Sequence, residues 1–89
     1  MNINSKTTLK SIISEFDTRF GLVITQKQAR EIKDTRKSCY FMGSKFVNTT
    51  LGFSVDIAEA SERGVKYSTY GTWYPRNEWN KAVRAGEFN

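Results

Sequence analysis

The stretch "GVKYSTYGTWYPRNEW", residues 64–79, decides how the rest of the chain must be arranged. It contains three of the four tyrosines and both tryptophans. Residues 64–74 read as one strand, in which successive side chains point to opposite faces. Counted without interruption, Val65, Tyr67, Thr69 and Trp73 share one face, and Lys66, Ser68, Tyr70, Thr72 and Tyr74 share the other. Val65 belongs to the core, so Trp73 is expected inward and Tyr70 and Tyr74 outward. Gly71 is the position that could overturn this parity, because glycine inside a strand often marks a bulge, and a bulge turns every later side chain over. Pro75 suits the first turn of a final helix, where its missing N–H costs nothing. Trp79, Ala82 and Val83 form the inner stripe of that helix, with Asn77, Lys81 and Arg84 outside. Gly86 should end it, with Phe88 folding back.

The segments upstream supply the remainder of a sheet. "CYFM" and "KFVN" flank the pair Gly43–Ser44, a two-residue hairpin loop whose leading glycine suits a type II′ turn. In "LGFSVDI", Phe53, Val55 and Ile57 alternate with Ser54 and Asp56, the pattern of a half-buried strand. "AEASERG", residues 58–64, is a loop or a single helical turn, since Asp56 and Glu59 have capping-box spacing.

Two helices precede the sheet. Leu9, Ile12, Ile13, Phe16 and Phe20 build one apolar stripe, with Ser5 or Thr7 to cap its start and Gly21 to end it. "LVI" at 22–24 is a buried connector or short strand. Thr25 and Gln28 form a capping box that opens a second helix over about 26–37. Only Ala29 and Ile32 are apolar on it, so it rests on the core without being enclosed. Arg30, Lys33 and Lys37 fall on one side as a basic stripe, which Asp34 partly offsets. The expected architecture is α+β, in the order ααββββα, with an antiparallel sheet and helices packed mainly on one face. Residues 1–89 form a single domain, whose small size leaves a small core.

Charge narrows the function. Fourteen Lys and Arg against nine Asp and Glu give +5, and the excess is concentrated. Residues 23–50 carry six cations against two carboxylates, whereas residues 51–89 carry five of each. Local positive charge of this kind attracts polyanions or an acidic protein. Histidine is absent, which removes the commonest general base and metal ligand. With one cysteine, Cys39, no ordinary zinc site can be assembled from one chain, and no cofactor is expected. The single thiol fits a reducing cytoplasm. No apolar run approaches the ~20 residues of a membrane span, and no signal peptide is expected.

These features point to a small basic nucleic-acid-binding protein without catalysis of its own, RNA or single strands favoured. Its candidate site comprises Arg30, Lys33, Arg36, Lys37, Lys45, Lys66, Tyr70, Tyr74 and Arg76, with Tyr40 a further ring from the first hairpin. Tyrosines beside cations offer bases a stacking surface and phosphates a counter-charge. An alternative is an accessory protein of the phage or mobile-element type that binds and modulates a host protein or ribonucleoprotein, since tyrosine and arginine also anchor protein interfaces. A free sheet edge could also pair with a second copy to form a homodimer.

Two resemblances carry further expectations. Residues 8–37, around "GLVITQKQAREI", resemble a helix-turn-helix in outline, which implies a DNA-binding regulator with Gln26, Gln28 or Arg30 reading bases. Asp17 departs from that pattern where an alanine would pack, and the connector is long for the turn. In size and charge the chain is similar to small ribonuclease toxins of the RelE type, which cut RNA without histidine. It departs from them in opening with a helix and in ending "RAGEFN", without an Arg–Tyr cluster. An enzyme reading would rest on Tyr70, Lys66 and Arg76, and catalysis is not expected.

Overall fold

Thr8 and Gly21 bracket the first helix, α1 (Leu9–Phe20), in the computed structural model, which describes residues 2–57, 64–66 and 73–88. The Thr8 hydroxyl accepts the Ser11 N–H at 3.1 Å, and Gly21 takes the left-handed conformation at φ 67°. The cap falls on Thr8 and not on Ser5 or Thr7, because Thr7 is engaged in a turn of its own. There Asn4 N–H donates to the Thr7 hydroxyl at 3.0 Å, and Thr7 N–H donates to the Asn4 carbonyl at 3.1 Å. Ile12, Phe16 and Phe20 are buried, as their spacing demands.

The second helix, α2 (Gln26–Asp34), opens on the expected capping box. Thr25 Oγ1 accepts the Gln28 N–H at 3.0 Å, and Gln28 Oε1 accepts the Thr25 N–H at 2.9 Å. The preceding segment, 22–24, is a buried connector and not a strand. α2 stops at Asp34, three residues short of the expected Lys37. Its last carbonyls are taken by side chains: Thr35 Oγ1 donates to Glu31 O at 2.8 Å, and Cys39 Sγ donates to Thr35 O at 3.4 Å. The chain then tightens into one 3-10 turn, Arg36–Ser38. Lys37 is therefore off the helical register of Arg30 and Lys33.

Five strands follow in one antiparallel sheet, ordered as they occur in the chain: β1 (Cys39–Met42), β2 (Lys45–Asn48), β3 (Phe53–Asp56), β4 (Gly64–Lys66) and β5 (Trp73–Tyr74). The expected hairpin turns at Gly43, φ 58°. The single strand expected over 64–74 is two strands, β4 and β5, paired with each other. The order is thus ααβββββα, closed by α3 (Arg76–Arg84), for which Pro75 is the N-terminal cap position. Residues 58–63 and 67–72, and with them Tyr67, Tyr70 and Gly71, lie outside the described residues.

One face of the sheet carries Phe41, Phe46, Phe53, Val55, Val65 and Tyr74, and all three helices pack against it. Phe16 of α1 meets Phe46 edge-on at 4.9 Å between ring centroids, and Phe41 at 5.8 Å. Trp79 of α3, fully buried, lies 5.7 Å from Phe53 and stacks on Phe88 at 4.6 Å, so the chain end folds back as expected. The Trp79 indole N–H donates to Val23 O at 2.8 Å, which joins α3 to the α1–α2 connector. Asn48, also buried, donates to Thr35 Oγ1 at 2.7 Å and accepts from Thr50 and Leu51 N–H at 3.1 and 3.0 Å. It ties the end of α2 to the β2–β3 turn. Among the described residues, no helix is long and apolar enough to cross a membrane.

Candidate functional site

The strand pairings place one continuous row of side chains on the face turned away from the helices. Tyr40 stands opposite Val47, Val47 opposite Ser54, Ser54 opposite Lys66, and Lys66 opposite Trp73. Paired residues share a face, so this row crosses all five strands. Neighbouring strands are separated by 4.7–4.9 Å, which sets the two ends of the row about 19 Å apart. Each end carries an exposed ring: Tyr40 retains 50% of its surface and Trp73 37%. A second row, Met42, Lys45, Asp56 and Gly64, runs beside it.

The electrostatics of this face are simple. Lys45 Nζ approaches Asp56 Oδ2 at 3.9 Å, so the carboxylate that would repel a phosphate is matched by the lysine directly across the ladder. Lys66 has no ion-pair partner among the described residues. A cation beside an indole, with a phenol at the far end and a hydroxyl residue between, can stack flat rings and neutralise an anion next to them.

The rings on this face are not the ones that parity along one strand selects. Trp73, expected inward, is exposed beside Lys66. Tyr74, expected outward as a site residue, faces the helices, in edge contact with Trp79 at 5.7 Å and Phe88 at 5.8 Å. The physical reason is the reversal between β4 and β5. Along one strand only even separations share a face, whereas across a hairpin the pairing sets the face, and Val65 pairs with Tyr74. Met42, exposed on the second row, was legible from its even spacing to Tyr40 but was not singled out.

The expected cations separate into three places. Lys45 and Lys66 are on the open face. Arg30 and Lys33 are on α2, in the helical layer behind the sheet, so they do not form one flat patch with Lys66. Arg36 and Lys37 sit in the 3-10 turn that enters β1, at the corner between the layers. Arg76 is not on the open face either. Its Nη1 donates to Phe20 O at 3.4 Å, over the C-terminus of α1. Gln28, a base reader in the helix-turn-helix outline, is buried and consumed by the capping box, so α2 cannot present it to DNA.

Cys39 is half-buried; burial pushes its thiol above the ordinary value, and hydrogen bonding by the Thr35 side chain partly opposes this. It is packed as a small polar link, not poised as a nucleophile. Among the described residues, no group of three or more metal-ligating side chains is assembled.

No protein-family model matches the chain, and neither the curated proteins nor the solved structures contain a significant match to it.

Proposed function

We propose that the open sheet face binds single-stranded nucleic acid, with RNA the first candidate, and that the protein acts by binding alone. The observation that supports this is the row from Tyr40 to Trp73, in which exposed rings at both ends flank a lysine that forms no ion pair among the described residues. A duplex hides the faces of its bases in its own stack, whereas unpaired bases can lie on aromatic side chains, a mode common in RNA recognition. Each stacked base contributes roughly 1–3 kcal/mol, and Lys66 adds one phosphate contact. A cytoplasmic setting goes with this reading.

The two tryptophans provide the test. Trp79 is fully buried and Trp73 is exposed, so a base stacking on the open face quenches the emission of Trp73 and not that of Trp79. Titration with a short oligouridylate at low salt should quench part of the emission, and Trp73→Phe should abolish the response. Trp73→Ala and Lys66→Gln should each weaken binding, the first by about 1–3 kcal/mol. Absence of any binding at low salt, or quenching that survives Trp73→Phe, refutes the assignment.

A second reading, a surface that docks on a host protein or ribonucleoprotein, is favoured by Met42. It is 61% exposed on the same face as Tyr40 and Trp73, and methionine and aromatic residues are enriched at interfaces. Nuclease treatment of the protein purified from cells separates the two. A partner retained after digestion, with no binding to oligonucleotides, supports the second.

A further inference from the structure

The cations on α2 have no role in the sheet-face site, yet the segment that carries them holds most of the chain's excess positive charge. Residues 23–50 contribute +4 of the total +5. Arg30, Lys33 and Lys37 form no ion pair among the described residues, and Glu31 and Asp34 engage none of them. Cations that form no ion pair among the described residues, on α2 and in the turn after it, suit a polyanion.

The 3-10 turn connects that surface to the sheet face. Arg36 and Tyr40 line one shallow depression at the β1 edge. Arg36 and Lys37, together with Asp34, line the next one, at the end of α2. Arg36 is held in place between them, its Nη1 donating to the Lys33 carbonyl at 3.1 Å, and it forms no ion pair among the described residues. Tyr40, the terminal ring of the sheet row, therefore adjoins a fixed guanidinium, with Lys37 in the same turn and Lys33 and Arg30 on the helix before it.

We infer that a bound single strand turns over the β1 end of the sheet at Arg36 and Lys37 and continues along α2, where Lys33 and Arg30 hold its phosphates. This rests on the sheet-face reading and extends it to the length and path of the ligand. The sheet row spans about 19 Å between its terminal rings, which a short oligonucleotide can bridge. Arg30 and Lys33 add about another 5 Å of helix at 1.5 Å per residue, beyond the turn that carries Arg36 and Lys37. A strand longer than the sheet row should therefore gain affinity and salt sensitivity that a short one lacks.

The experiment compares oligouridylates of about six and about twelve residues, by fluorescence anisotropy at several salt concentrations. The longer strand should bind more than about tenfold tighter, beyond what its extra registers supply, because the second contact is intramolecular. Its plot of log affinity against log salt should be steeper by about 2, at about 0.7 for each of three added phosphate contacts. The triple variant Arg30→Gln, Lys33→Gln, Lys37→Gln, its fold checked by circular dichroism, should lose both increments and bind the short strand as the wild type does. Arg36 is retained in it because it caps α2. Equal salt slopes for the two lengths of wild-type protein overturn the inference without any variant. So does a length increment that survives the triple variant, or a variant that weakens both lengths alike. Failure of the wild type to bind either length refutes the sheet-face reading itself, a distinguishable result.

Discussion

Val65 and Tyr74 stand directly opposite each other on β4 and β5, and both face the helices. That single pairing sets the chemistry of the other face, because it turns the adjacent pair, Lys66 and Trp73, outward together. The core gains a phenol that packs against Trp79 and Phe88, and the open face gains an indole beside a lysine. A register shifted by one residue would exchange the two rings and remove the site.

Gly64 guards that register. Its φ is 60°, and a Cβ built on it would strike the Tyr74 carbonyl oxygen and lie 2.9 Å from Arg76 N. Gly64→Ala should cost at least about 1–2 kcal/mol from the left-handed conformation alone, with more from the displaced β5 backbone. Urea denaturation measures the loss, and altered Trp73 emission in the folded variant reports the displacement. A variant as stable as the wild type would show that β5 does not lie against Gly64 as described.

Asn80 clamps the connector between α1 and α2 from the far end of the chain. Its Oδ1 accepts the Val23 N–H at 2.9 Å, and its Nδ2 donates to Gly21 O at 3.0 Å. Asn80→Ala leaves a part-buried N–H without a partner, which should destabilise the fold by about 1–3 kcal/mol. Asn80→Asp keeps the acceptor for Val23 and loses the donor to Gly21, so it should fall between the alanine variant and the wild type. Equal unfolding midpoints for Asn80→Ala and wild type would show that the clamp contributes nothing.

Cys39 makes stability and reactivity depend on pH in a stated direction. Burial raises the thiol's pKa in the folded chain, so the unfolded thiol releases its proton first as pH rises. The contribution to stability is complete below the unfolded thiol's pKa and is lost as pH climbs through the higher folded value. Mildly alkaline solution should therefore lower the unfolding midpoint, and Cys39→Ser should flatten that dependence. A maleimide should react more slowly with native protein than with urea-unfolded protein at the same pH, since only the thiolate attacks. Equal rates in the two states would contradict the burial described for this thiol.

Local signals determine much of this protein without any tertiary contact. The apolar stripe of α1, the Thr25–Gln28 capping box, the hairpin at Gly43, the alternation of β3 and the inner stripe of α3 are written in neighbouring residues. They follow from dihedral preferences and periods that act over a few positions. The outward facing of Lys66 and Tyr40 was legible for the same reason, each standing in a strand whose alternation is local.

The exchange of Trp73 with Tyr74, the early end of α2 and the placement of Arg36 between two surfaces were decided only in three dimensions. Each depends on a partner distant in sequence or across a reversal. Val65 chooses the face of Tyr74, Asn48 holds the Thr35 hydroxyl that closes α2, and the corner at Arg36 exists because β1 begins there. Periodicity specifies which residues share a face along one element. Which element each face then meets is determined by strand pairing and by hydrogen bonds between segments, and in this chain those contacts decide where the cations and the exposed rings come together.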